Sequence, residues 1–362
     1  MRRNPRAQAG VGLMEVMISI VISMLLVLVI YQVYEISEGQ KRTITAGSDA
    51  QQNASYSMYV LGRDLSMAGN GIASAADSLD TCTQFRPLPV MIQPGASDND
   101  PDTITVFYGG SSSLSTSIPF NSPATGAQPY VVRAPIAFSQ GDVIVAKEGA
   151  NCTLSTINAG GVSVDANGFA TIAHTPIAGN MGVTYGAVNA TLVNLGQAAA
   201  MGRVEYTVDA TNHVLRSQNL LPNPAAPPPP SPIVNDIVNL KAQYGVDANC
   251  DGVLVWTDPV GAWSPANLLL PLPLPPGCTP GAPSIRQMRA VRVAIVTRST
   301  QFEKDVVTPQ YPNAMPSGKL GMFCDPAPTC EVSMNLSADD QHYRYKVLET
   351  IVPLRNALWN SP

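Results

Sequence analysis

Hydrophobic and polar positions divide the chain into three regimes. From Val16 to Tyr34 nearly every side chain is apolar, interrupted only by Ser19, Ser23 and Gln32. A run of about 20 such residues crosses a bilayer as a single helix. Past Tyr34 the composition turns polar, yet no proline appears until Pro87. Within that stretch Ala54, Met58, Leu61, Leu65 and Ala68 recur at alternating spacings of four and three. This is an apolar stripe on one face of a helix, with Arg63 and Asp64 expected on its polar flank. Gly69, Asn70 and Gly71 supply a stop signal. One helix from about Val11 to Met67 would be ~85 Å long, its first half in lipid and its second half packed on a folded head. Gly39 and Gly47 weaken its middle.

Beyond residue 75 the alternation shifts to period two. Candidate strands are Thr103–Tyr108, Tyr130–Arg133, Asp142–Lys147, Arg203–Val208, His213–Ser217, Arg289–Ser299 and Tyr343–Val352. They are short and separated by turn-rich stretches, which predicts antiparallel sheet. Val234, Ile237 and Val238 predict one short helix, with Leu240–Val246 continuing as a strand. Pro222–Pro232 and Pro271–Pro283 predict extended, polyproline-like surface segments. The fold class is therefore α+β: a long N-terminal helix docked on an antiparallel β-sheet head carrying loop insertions.

Composition narrows the class. Apolar residues make up 45% of the 362, enough for a packed core, while charged residues are only 13%. A net charge of −5 gives no basic face for nucleic acid. Arg2, Arg3 and Arg6 precede the apolar run and place the N-terminus on the cytoplasmic side. No A-x-A cleavage site follows the run, as an ordinary secretory signal would require. Six cysteines (Cys82, Cys152, Cys250, Cys278, Cys324 and Cys330) all lie after it, in no CxxC pair. An even set of this kind suits disulfides in an oxidising compartment. Cys324 and Cys330 are the first choice of pair, because the intervening segment is short and holds Pro326 and Pro328. The other connections stay open.

A lone carboxylate, Glu15, sits at the edge of the apolar run. Such a charge costs ~2.5–3.5 kcal/mol at a membrane helix centre and usually has a partner. Gly10-Val11-Gly12-Leu13-Met14-Glu15 resembles the signal of type IV prepilins, which a prepilin peptidase cuts after the glycine. The resemblance implies a leader of residues 1–10, a mature N-methylated chain beginning at Val11, and a helix over 11–70 with its transmembrane segment at 16–34. Residues 71–362 would form the head. Glu15, fifth in the mature chain, would pair with the N-terminal amine of a neighbouring subunit.

Four further segments are similar to the PilW family of minor pilins. Leu61–Gly69 resembles the end of that family's long helix, and Leu240–Asp247 its strand entering an acidic turn. Arg289–Ser299 resembles its central strand and Thr350–Asn356 its closing strand. The resemblance implies a structural subunit that helps initiate a type IV pilus and sits at or near its tip. Its partners would be the prepilin peptidase, other minor pilins, the major pilin and a large tip adhesin. It implies a single pass through the inner membrane with the head in the periplasm, then incorporation into the pilus. The alternative is a J-type minor pseudopilin of a type II secretion system.

One loop suggests metal chemistry. Asp247, Asn249 and Asp251, then Gly252, the carbonyl of Val253 and Asp258 follow the ligand spacing of an EF-hand calcium loop, with Asp in place of the final Glu. The competing reading is a solvated acidic turn between strands. Asp98, Asp100 and Asp102 form a second, less EF-hand-like cluster, interrupted by Pro101. Beyond a structural calcium no cofactor is expected. Catalytic motifs are absent: there is no G-x-S-x-G, H-E-x-x-H or P-loop. His174, His213 and His342 are isolated in sequence, and His213 and His342 lie in strand-like stretches where a structural role is expected. The sequence predicts a non-enzyme.

Overall fold

The computed structural model describes residues 12–70, 82, 88–110, 117–135, 138–221, 228–249, 251–268, 287–308, 318–325 and 329–358. Its first element is α1 (Leu13–Met67), an unbroken helix of 55 residues, about 82 Å long. From Leu13 to Ile36 every residue is exposed, whereas Ala46, Ala50, Ala54, Ser57, Leu61, Asp64 and Leu65 are buried against the head. One helix thus has two environments: a free apolar half and a docked amphipathic half.

The strands that follow are β1 (Val90–Gln93), β2 (Thr103–Tyr108), β3 (Ile118–Pro119), β4 (Ala124–Thr125), β5 (Tyr130–Val132) and β6 (Asp142–Glu148). Next come β7 (Asn151–Val164), β8 (Ala170–Gly179), β9 (Thr184–Tyr185), β10 (Thr191–Gln197), β11 (Gly202–Asp209), β12 (Val214–Asn219) and β13 (Ser231–Asn235). The last are β14 (Ile237–Val246), β15 (Val255–Thr257), β16 (Met288–Arg298), β17 (Lys319–Met322), β18 (Val332–Asn335) and β19 (Tyr345–Pro353).

Two sheets pack with α1 around one core. The five-stranded sheet has the order β1-β2-β11-β12-β13 and the four-stranded sheet the order β15-β14-β16-β19, all antiparallel. Leu61 and Leu65 of the helix share one core with Val291, Val293 and Ile295 of β16, Leu240 and Tyr244 of β14, and Ile104 and Val106 of β2. Full burial of a leucine side chain contributes about 1.5–3 kcal/mol, so this stripe fixes the helix to the head. The Tyr244 hydroxyl accepts the Ile92 N–H at 2.7 Å, bonding the two sheets through their shared core. On its other face β16 packs Ala294 and Val296 against Leu320, Met322 and Phe323 of the β17–β18 region. Burial on both faces explains why Ala290–Val296 reads as a nearly continuous apolar run.

Between β2 and β11 the chain builds a second unit. Its sheet has the order β3-β10-β6-β7-β8-β5. The ends meet through a bridge between Phe120 and Val132, with Asn121 N–H donating to Val131 O at 2.7 Å and Arg133 N–H to Pro119 O at 3.1 Å. The six strands therefore close into a small barrel, and closure removes the free edges that invite aggregation. Phe120, Tyr130, Ile144, Ile172, Tyr185 and Leu192 fill it. A smaller cluster with Phe107, Val145, Val193 and Leu195 joins barrel to main head.

Three expectations are corrected. Val234, Ile237 and Val238 form no helix: Val234 ends in β13 and Ile237 begins β14, separated by Asp236 at φ 67°. The β-branched run Ile233, Val234, Ile237, Val238 favours a pleated surface over a helix despite its helix-like spacing. The proline-rich stretch ends in a strand rather than in polyproline conformation, since Pro232 belongs to β13. β13 is the outer strand of its sheet, where a missing N–H is tolerated. Residues 222–227 and the second stretch, 271–283, lie outside the described residues. Finally, Asp64 faces the head: it is 2% exposed.

Candidate functional site

The candidate functional element is the helix and its attachment. Gly10 and Val11 lie outside the described residues. Glu15 stands in the first turn of α1, where the helix dipole favours a negative charge. Ser19 donates to the Glu15 carbonyl at 2.7 Å and Ser23 to the Ser19 carbonyl at 2.6 Å. These bonds satisfy the hydroxyls within an apolar segment without breaking the helix.

At the docked end, polar contacts complete the apolar stripe. The Asp64 carboxylate accepts the Tyr206 hydroxyl at 2.6 Å and Arg63 Nε at 2.8 Å. Burial, and then the bond to Asp64, push the Tyr206 pKa well above the ordinary phenol range. The hydroxyl therefore stays protonated and a donor. Asn53 donates to Asp236 at 3.0 Å on the same side of the helix. The last helical carbonyls, those of Met67 and Ala68, accept the Asn356 side-chain amide at 3.3 and 3.1 Å. Such carbonyls have no partner inside the helix, so Asn356, three residues past the end of β19, caps α1. Gly69 N–H donates to Phe107 O, while Asn70 and Gly109 exchange bonds of 2.7 and 3.2 Å. Gly69 sits at φ 77°, a conformation that glycine adopts without strain.

Among the cysteines, Cys324 is joined to Cys330 and Cys82 to Cys152. Cys250 and Cys278 lie outside the described residues. The segment carrying Cys324–Cys330 is held to the sheet by Arg292. That guanidinium lies 4.9 Å from the Trp256 ring centre and 4.5 Å from that of Phe323, and bonds Gln243 and Glu331. Burial pushes the Glu331 carboxyl up, but the bonds from Arg292 and Gln243 outweigh it and its pKa is lowered.

The calcium reading is corrected by the geometry. β15 lies inside the proposed loop, paired Val246↔Val255 and Tyr244↔Thr257. Asp258 therefore emerges beside Gln243, whose side chain donates to it at 2.6 Å. Asp247 is at the other end of the hairpin, four residue steps or about 13 Å away at ~3.3 Å per residue. The Asp247 carboxylate accepts the N–H groups of Asp251 at 3.0 Å and Gly252 at 3.2 Å, with Arg289 Nε at 3.8 Å. Asp251 accepts the Val253 N–H at 2.9 Å, and Asn249 is exposed. Backbone donors and Arg289, rather than a cation, thus relieve the repulsion in a hairpin turn. The set Asp247, Asn249, Asp251, Val253 and Asp258 does not fit a calcium ion. Among the described residues, no group of three or more His, Cys, Asp or Glu could hold a metal. Asp247→Ala is expected to lower stability by about 1–3 kcal/mol, the loss of two charge-assisted hydrogen bonds that brace the turn. Thermal unfolding should show the same loss with calcium as with chelator.

The second acidic cluster also has structural partners. Asp102 pairs with Lys241 at 3.0 Å, Asp100 accepts the Ser97 hydroxyl, and Asp98 accepts the Ser333 N–H. His174 stacks on Tyr130 at 3.9 Å and donates from Nε2 to Gln128 O; burial holds its pKa below the usual value, against that bond. His342 stacks on Phe302 and bonds Glu303 O. His213 adopts φ 54° at the β11–β12 turn. Sequence reasoning missed the Asp64–Tyr206 bond and the Asn356 cap. The spacing Ser57, Leu61, Asp64, Ala68 was the available signal that Asp64 shares the buried face.

Comparison with known proteins matches residues 204–356 to the family described as Type IV Pilus-assembly protein W. Residues 5–31 match the prokaryotic N-terminal methylation motif. The first match begins within β11 and covers both sheets on the helix from there on; the barrel lies outside it. No curated protein matches the chain. Among solved structures, a type IV-like pilin from Thermus thermophilus aligns at 11% identity and a TM-score of 0.36, covering 85% of this chain and 96% of that one.

Proposed function

We propose, from the premise that this chain is a PilW-type pilin with a prepilin motif, that it helps start pilus assembly and occupies the filament tip. Prepilin peptidase would cut between Gly10 and Val11, and the new amine would be methylated. Glu15 would then pair with the amine of a neighbouring subunit as the helix leaves lipid. The observation that carries this reading is the division of α1: its apolar half stands free of the head while its second half is buried in it. A free apolar half needs lipid before assembly and neighbouring helices after it. The additional barrel supports a tip position, because a bulky head is easier to fit at a filament end than along its length. Other minor pilins, the major pilin and a tip adhesin would be its partners, with the head on the periplasmic side before assembly. The subunit would be structural rather than catalytic.

Deletion of the gene tests this. Surface pili should be lost or sharply reduced, counted by electron microscopy, while exoprotein secretion continues. Intact pili with failed secretion would favour the pseudopilin reading.

A further inference from the structure

The docked part of α1 begins at Ala46. That is twelve residues beyond Tyr34, or about 18 Å along the helix from the end of the apolar run. Most of the head would therefore stand off the membrane. One loop comes nearer. Residues 301–305 form with α1 an open cleft of about 970 Å³, lined by helix residues from Tyr31 to Ile44 and by Phe302 and Lys304 on the loop. Tyrosines at the end of a membrane span mark the headgroup level, and the loop shares its cleft with them.

The loop has the chemistry of an interfacial segment. Phe302 is 49% exposed and Val306 62% exposed. Phe302 is held from behind, stacked on His342 at 4.8 Å and edge-on to Tyr343 at 5.5 Å, so its free face is presented rather than mobile. Two ion pairs close the cleft's rim, Arg42–Glu38 at 3.4 Å and Arg344–Glu303 at 3.0 Å. Among the lining residues this leaves Lys304 beside Glu35 and Asp305 without an ion pair. Charges of both signs suit a headgroup that itself carries phosphate and ammonium. A uniformly anionic surface would meet more carboxylates than it could use.

We propose that in the membrane-inserted precursor the 301–306 loop rests on the bilayer, with Phe302 and Val306 among zwitterionic phospholipid headgroups. This rests on the reading that α1 spans the membrane. The contact fixes the head's height and tilt over the bilayer, and it must be released when the helix is drawn out of lipid.

The test is site-specific photocrosslinking with benzoylphenylalanine in the full chain, reconstituted into vesicles of phosphatidylethanolamine and phosphatidylglycerol. The photolabel is placed at Phe302, at Val306, at Leu25 within the span, and at Val188, an 85% exposed barrel residue. Mass spectrometry reads lipid adducts. Expected are adducts at 302 and 306 about tenfold above those at 188, as for side chains seated at the headgroup level. Adducts at Leu25 without any at 302 or 306 would overturn the loop contact and leave the membrane span intact. No adduct at Leu25 would overturn both. Crosslinks from 302 and 306 to another copy of the chain instead of lipid would show that a subunit covers the cleft, and the proposal would fall.

Discussion

Lys241→Ala lowers the stability of the head by about 3–5 kcal/mol, the cost of leaving one member of a buried ion pair alone. Lys241 and Asp102 are 3.0 Å apart with side chains 7% and 5% exposed. Asp102 also accepts the N–H groups of Gly95 at 2.9 Å and Ala242 at 3.0 Å, and Lys241 donates to Ser97 O at 2.9 Å. The pair therefore pins the β1–β2 connection to β14 and holds the two sheets in register. Without the ammonium, the carboxylate remains in a site it cannot leave. The double variant Lys241→Met with Asp102→Asn should recover part of the loss, because it removes the unpaired charge while the Asn carbonyl can still accept a backbone N–H of Gly95 or Ala242. Thermal unfolding of the full chain in detergent distinguishes the two. Equal losses in the single and double variants would mean that packing, not charge, dominates here.

Removing the Cys82–Cys152 bridge costs about 4 kcal/mol, between the values for loops of roughly 15 and 100 residues. Its cysteines are 70 residues apart. The bridge ties the connection after α1 to β7 of the barrel, beside Val145 and Val193. The Cys82→Ala, Cys152→Ala variant should unfold at lower temperature and be cleaved faster within residues 117–200 by added protease. Loss of the Cys324–Cys330 bridge, with a separation of only 6, should cost clearly less, since a shorter loop restricts the unfolded chain less. Equal effects of the two would contradict this.

The helix was legible because its signals are local. An uninterrupted apolar run and a three-four spacing need no knowledge of what lies elsewhere. β2 was readable to the residue, and β6, β11 and β16 within a residue or so at either end, because their alternating or continuously apolar positions face the core. The barrel was less legible. β7 buries Thr153 and Ser155 rather than a row of aliphatic residues, and Thr153 bonds the Tyr185 hydroxyl at 2.6 Å. Its inward face looks polar in sequence. Barrel closure depends on Phe120 meeting Val132, a pairing no local pattern announces. Asp64 misled because a carboxylate on a helix is ordinarily solvated; its partner Tyr206 is 142 residues away. The acidic loop misled in the opposite sense. Ligand spacing counts residues, but Val255–Thr257 spends those residues on a strand and carries Asp258 away from Asp247.

The central claim is that this chain is processed as a prepilin and built into a filament through its N-terminal helix. Mass spectrometry of sheared, purified pili tests it most directly. The account predicts a low-abundance subunit whose N-terminal peptide begins at Val11 and carries one methyl group. A chain still beginning at Met1, present in membranes and absent from pili of a strain with active prepilin peptidase, would contradict it.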